Sequence, residues 1–198
     1  MTHMTRLLLL LTLLICTPHA AAEDKAAPAE TQPTNETEAE AKPNRYQSVI
    51  DAWVEQDATN PPPKGVVVFI GSSSIRGWKT LKDDFPQYDV INRGFGGSTF
   101  ADANLFIDQI VTPYEPAAVV VFEGSNDIAG GKTGEQVFEG YKRFVKLVRA
   151  GSNPEMDPPP ILYIGITPTE SRWKHWPEMK IANDLIREYT DQHEALYY

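Results

Sequence analysis

Three continuous apolar runs, separated by stretches of helical periodicity, constrain this chain more than anything else in it. Residues 66–70 (Val-Val-Val-Phe-Ile), 118–122 (Ala-Val-Val-Val-Phe) and 161–166 are β-branched and aromatic without polar alternation. Such runs suit strands buried on both faces of a parallel sheet. A further short strand fits residues 89–92, and residues 196–198 read as the beginning of a fifth. Between them lie amphipathic segments. Tyr46, Val49, Ile50 and Trp53 share one helical face, as do Ala103, Phe106, Ile107 and Ile110, and then Val137, Tyr141, Phe144, Val145 and Val148. Pro177 opens a last helix with Met179, Ala182, Leu185, Ile186 and Tyr189 inward. Strands alternating with helices predict right-handed βαβ crossovers and a doubly wound parallel sheet of the α/β class.

The 198 residues suffice for one such domain. It is expected to occupy residues 44–198, because what precedes has other composition. Arg6, the apolar run 7–15 and the small residues Ala20, Ala21 and Ala22 have the layout of a secretory signal peptide over residues 1–22. That apolar run is too short to span a bilayer, which takes roughly 20 residues, so no stable membrane span is expected after cleavage. Lipid attachment at Cys16 is disfavoured by the bulky Ile15 before it, and removal of the peptide would leave the mature chain without cysteine. Residues 23–43 are mostly Ala, Glu, Pro and Thr without aromatics, which predicts a disordered acidic linker. Asn35-Glu36-Thr37 fits a glycosylation sequon. The expected localisation is secreted or periplasmic. The net charge of −9, with no basic cluster, argues against nucleic acid as a partner.

On a doubly wound sheet, ligands sit beyond the carboxyl ends of the strands. After the first strand come Gly71, Ser72, Ser73 and Ser74; a serine there opens a helical turn, as nucleophile or as simple N-cap. After the second come Gly94, Phe95, Gly96, Gly97 and Ser98, where glycines let backbone amides approach a ligand or merely make a tight turn. After the third come Glu123, Gly124, Ser125, Asn126 and Asp127, and an asparagine there aims a carboxamide at an oxyanion or serves a turn. Each element alone is ambiguous. Together, a hydroxyl, a glycine amide and a carboxamide on successive strands have the parts of an acyl-transfer site.

In these blocks the chain resembles the SGNH or GDSL hydrolase family from about residue 66 onward. Gly71-Ser72-Ser73 matches the first block, with Ser72 in place of the usual aspartate, Gly97 the second and Asn126 the third. The resemblance implies a flavodoxin-like three-layer sandwich, Ser73 as nucleophile, and an oxyanion hole of the Ser73 amide, the Gly97 amide and the Asn126 side chain. It implies no cofactor, and no residue spacing here suggests a metal. The substrate would be a small-molecule, glycan or lipid ester, short acyl groups such as acetyl first.

The family's aspartate-x-x-histidine block has no match. His175 precedes the last helix and His193 ends it, and neither has an aspartate three residues earlier. The catalytic histidine and aspartate are therefore expected beyond residue 198, the rest of the fifth strand and the last helix are expected to be missing, and the chain as it stands is expected to have little esterase activity. Trp173 and Trp176 are read as a substrate-side wall or as locally packed loop aromatics. Two other functions share this fold: a non-catalytic module binding acylated or glycan ligands, and a flavodoxin-like nucleotide binder.

Overall fold

The computed structural model describes residues 44–198. The readings for residues 1–22 and 23–43, with Cys16 and the Asn35 sequon, lie outside the described residues.

The chain begins with α1 (Gln47–Thr59) and enters β1 (Val67–Gly71), followed by α2 (Ser73–Gly77) and α3 (Leu81–Asp84). Then come β2 (Val90–Gly94), α4 (Phe100–Leu105), α5 (Ile107–Ile110) and a 3-10 turn at Thr112–Tyr114. β3 (Ala118–Phe122), α6 (Ser125–Ala129), α7 (Gly134–Ala150) and β4 (Ile161–Tyr163) follow, then a 3-10 segment at Glu170–His175, α8 (Trp176–Asp191) and β5 (Leu196–Tyr197). All pairings are parallel, in the order β2-β1-β3-β4-β5. That is the doubly wound order, and its direction reverses between β1 and β3, the switch point where clefts form.

One face of the sheet is covered by α1, α4, α5, α7 and α8, which bury Ile50, Phe100, Phe144, Val148, Met179 and Ile186 against Val68, Ile70, Val119 and Val121. The other face is covered by α2 and α3, where Ile75 and Leu81 pack on Phe69, Val90 and Val120. The three-layer sandwich expected from the sequence is thus observed. The second layer stops short of the β4–β5 side, where Leu162 and Tyr197, paired in register, stay exposed.

Several elements differ from their sequence reading for local reasons. The helix expected through residues 103–110 breaks in two at Phe106, whose amide donates to the Ala103 carbonyl three residues back at 3.3 Å. The break lets the adjacent pairs Phe106-Ile107 and Ile110-Val111 all reach the core. β4 ends at Tyr163 instead of running to residue 166, because the Asn183 carboxamide on α8 bonds both the amide and the carbonyl of Ile166 at 2.8 and 2.9 Å. A side chain there takes the place of a neighbouring strand. Where the sequence reading placed the beginning of a fifth strand, Leu196 and Tyr197 pair with Ile161 and Leu162.

Two polar ties hold the β2 edge. Arg93, buried, reaches Asp57 on α1 at 2.5 Å and the Tyr114 hydroxyl at 2.9 Å, with its guanidinium over the Trp53 ring. Asn92 donates to the Ile75 carbonyl at 2.6 Å and accepts from the Gly94 amide at 2.9 Å, which fastens α2 to β2. Glycine is required at position 94, because a Cβ there would stand 2.3 Å from the Arg76 backbone nitrogen. Gly94→Ala is expected to destabilise the fold by about 1–3 kcal/mol or more through overpacking. Equilibrium denaturation should show a lower midpoint at unchanged m-value. Wild-type stability in that variant would contradict the tight seating of α2 on β2.

Candidate active site

Parallel β1 and β3 end level with each other, Gly71 opposite Phe122, so the segments that follow them face one another across the switch point. Between them opens a cleft of about 510 Å³, lined by Ser72, Ser73 and Ser74 from one side and Ser125 and Asn126 from the other. Thr167, Thr169, Ser171 and Arg172, from the segment after β4, close a third side. Ile75, Trp78, Phe122 and Ile164 supply its apolar surface.

Ser73 is the first residue of α2 and is exposed, whereas Ser72, at the N-cap, is buried. As the first helical residue, Ser73 has an amide with no intrahelical partner, and its hydroxyl makes no side-chain hydrogen bond among the described residues. An exposed hydroxyl beside an uncommitted amide at a helix start is the arrangement a nucleophile and an oxyanion donor require.

Asn126 lies in the first turn of α6, and its carboxamide is held at both ends. Its Nδ2 donates to the Ser98 carbonyl at 2.8 Å, and its Oδ1 accepts from Arg172 at 2.8 Å. The amide orientation is therefore fixed by charge: the guanidinium can only donate, so the oxygen must face it. One Nδ2 hydrogen remains for the cleft. Asp127, the next residue, has a structural task, accepting from the Phe100 amide at 3.1 Å and from Lys132 at 2.8 Å.

Gly97 is half-buried with φ of +84°, in a turn closed by the Ser98 amide on the Phe95 carbonyl. Its carbonyl is turned outward to Arg45 at 3.0 Å, and the neighbouring Gly96 carbonyl accepts from Tyr46. The Gly97 amide has no backbone partner among the described residues. The structure brings Ser73 and Asn126 to one cleft, but Gly97 is not among the residues that line it. Its link to the site runs through Ser98, whose carbonyl Asn126 grips.

Neither histidine of the described residues lines the cleft. His175 is the half-buried residue before α8, while His193 stacks on Tyr189 with its Nδ1 at 2.7 Å from the Tyr189 carbonyl. Trp173 and Trp176 stack on each other outside the cleft. Among the described residues no group of three histidines, cysteines or carboxylates could hold a metal ion.

Three residues of the site were given no role by the sequence reading. Arg172 follows β4, and the strand-end rule applied to that fourth strand points to its loop. Ser98 and Glu123 have a weaker signal, an acid directly after a buried apolar strand. Glu123 is only 2% exposed; one of its oxygens accepts from the Ser98 hydroxyl, and the other, Oε2, is buried without a partner. Burial pushes its carboxyl up to about 8, against the opposing effect of the Ser98 hydroxyl and with the negative charges of Asp127 and Asp102 adding to the rise. The acid is thus mostly neutral at neutral pH.

A carboxyl whose pKa is higher folded than unfolded holds more protons in the folded state between the two values. Its contribution to stability is full below about 4.5 and is lost as pH rises toward about 8. Glu123→Gln, which cannot ionise, is expected to flatten the decline in thermal stability between about pH 5 and about pH 8. Melting curves across that range check it, and an unchanged slope in the variant would place the titrating group elsewhere.

The model of the GDSL-like Lipase/Acylhydrolase family matches residues 71–198, from the end of β1 through every strand-end block described above. No curated protein matches the chain in sequence. Among solved structures, a GDSL-like lipase of Bacteroides thetaiotaomicron superposes with a TM-score of 0.63 at 21% identity, covering 75% of this chain and 76% of its own. A proposed acylhydrolase of Bacteroides fragilis gives 0.59 at 24% identity, covering 74% of each chain. A member of the lipolytic G-D-S-L family from Veillonella parvula gives 0.55 at 14% identity, over 66% of this chain and 75% of its own. At these identities the likeness carries the fold alone; the family is carried by the sequence match. Because that match takes in more than half of the sequence, the chain belongs to the GDSL-like lipase/acylhydrolase family.

Proposed function

We propose that the protein hydrolyses carboxylic esters through a serine acyl-enzyme, short acyl esters first. The observation that carries this reading is the pairing, in one cleft, of the exposed Ser73 hydroxyl with the oriented Asn126 carboxamide. Ser73 Oγ attacks the ester carbonyl carbon, and its proton passes to a histidine base. The tetrahedral oxyanion is met by the Ser73 amide and the free Nδ2 hydrogen of Asn126, and the Gly97 amide is assigned the third position by its match to the family's second block. Collapse breaks the bond to the alcohol, which leaves with the proton, and water then releases the acid. The base is the histidine of an aspartate-x-x-histidine block, since neither His175 nor His193 lines the cleft. Export through the segment 1–22 would place this activity outside the cytoplasm, and the acidic charge favours small esters over nucleic acid as partners.

A second reading, a module that binds acylated or glycan ligands without chemistry, draws on the same absence of a histidine from the cleft among the described residues. The two diverge on a single substitution. In the full-length protein Ser73→Ala is expected to abolish hydrolysis of p-nitrophenyl acetate with the fold intact. Asn126→Ala is expected to lower kcat by about 10² or more with little change in KM, because an oxyanion donor acts in the transition state. Hydrolysis that survives Ser73→Ala would remove Ser73 as nucleophile. A wild-type protein that binds such esters without turning them over would leave the binding module.

A further inference from the structure

The proposed ester cleft holds an arginine that no carboxylate pairs with among the described residues, and two further arginines lie on the segments around it. Arg172 lines the cleft itself, donating to the Ser125 hydroxyl at 2.7 Å and to Asn126 at 2.8 Å, both neutral acceptors. Arg76, on α2, lies against the Gly96 backbone so closely that a Cβ there would stand 2.5 Å from its guanidinium carbon. Neither has a carboxylate partner among the described residues. A third, Arg45, donates to the Gly97 carbonyl and is 3.7 Å from Asp102. Among the described residues no aspartate or glutamate lines the cleft.

This distribution runs against the composition. A chain of net charge −9 has more carboxylates than cations, yet none of them pairs with Arg172 among the described residues. Holding a guanidinium in a cleft with only neutral partners leaves its charge and three of its five donors uncommitted. In a cleft with apolar walls such a charge concentrates anions from solution even when the protein as a whole repels them. The rest of the lining agrees: seven serine and threonine residues offer hydroxyls and none offers a negative charge.

Resting on the proposed ester hydrolysis, we infer that the preferred ester carries an anionic oxygen group, a carboxylate or a phosphate, beside the scissile bond, and that Arg172 is the residue that reads it. The planar guanidinium fork matches either group with paired, charge-assisted hydrogen bonds. The ester carbonyl lies between Ser73 and Asn126, and the anion lies on the Thr167–Arg172 side of the cleft.

Three probes of similar size separate charge from shape: meta-acetoxybenzoate, meta-acetoxyphenyl phosphate and the neutral meta-acetoxybenzamide. In the full-length protein, at least one anionic ester should exceed the amide in kcat/KM by roughly tenfold or more, the worth of one hydrogen bond to a charged group. Which anion leads distinguishes carboxylate from phosphate. Arg172→Gln should level the ratio, and Arg172→Lys should keep part of it. A purely structural role for Arg172, through its hold on Asn126, would lower all three esters alike and leave the ratio unchanged. The wild-type preference should also shrink with added salt, a reading that needs no variant. Equal rates for the charged and neutral esters in the wild type, or a preference that survives Arg172→Gln, would overturn the inference. If the wild type hydrolyses none of the three, it is the proposed esterase reaction that fails, and calorimetry with meta-hydroxybenzoate against meta-hydroxybenzamide decides the anion question. Tighter binding of the benzoate that Arg172→Gln abolishes would uphold it, and equal binding would end it.

Discussion

Gly71 ends β1 level with Gly94 on one side and Phe122 on the other, and everything at the site follows from that common level. Three parallel strands stop on one line, so the three segments that leave them start at the same height and must diverge. The segment after β1 turns into a helix at once, the one after β2 makes a glycine turn, and the one after β3 makes a short helix. The register of the sheet, set by the burial of β-branched side chains on both faces, thus brings Ser73 and Asn126 together although 53 positions separate them in the sequence. Gly94 completes the constraint, because only a residue without a side chain allows α2 to lie against the end of β2.

Two buried polar groups show opposite solutions to the cost of burying charge. Arg93 is buried as an ion pair with Asp57, and the Tyr114 hydroxyl shares the same carboxylate at 2.5 Å. Burial and the hydrogen bond to Asp57 push that hydroxyl up to about 12, so it stays a donor at any physiological pH. Glu123 has no salt-bridge partner among the described residues and is instead held toward its neutral form by burial. A neutral acid lowers the desolvation cost that an unpaired carboxylate would incur, which is how the chain tolerates a carboxyl with one unpartnered oxygen behind the Ser98 turn.

The sheet was legible in the sequence because its strands are continuous apolar runs; β3 has the bounds read from residues 118–122, and the buried face of α7 is the one its periodicity marks. What was not legible depends on tertiary partners. The end of β4 is set by Asn183, a residue 17 positions away, and the break at Phe106 by the need to bury two adjacent pairs. At the site, Ser73 and Asn126 follow from a residue type at a strand end, which a sequence displays directly. Arg172 does not, since its role comes from two hydrogen bonds across about 46 positions, and nothing local distinguishes it from any other loop arginine. Gly97 marks the limit of motif matching: the sequence gives it a place in the block, while the structure leaves it off the cleft wall.

An oxyanion hole works only if its donors are fixed before charge develops, since donors that must reorganise lose much of their advantage. The donors proposed here sit on separate segments, and no single element packs them together. The rigidity comes from bonds that run between segments: Arg45 ahead of α1 to the Gly97 carbonyl, Asn126 to the Ser98 carbonyl, and Arg172 to Asn126 and Ser125. Each spans at least 28 positions of sequence, so each joins segments that the sheet holds together. The geometry of the site therefore depends on the register of the strands that carry these segments. The arginines have two tasks in this arrangement, one mechanical and one electrostatic. A neutral residue could perform the first alone. Arg172 carries a guanidinium without a carboxylate partner among the described residues, and in that residue the geometry of the site and the proposed charge of its substrate meet.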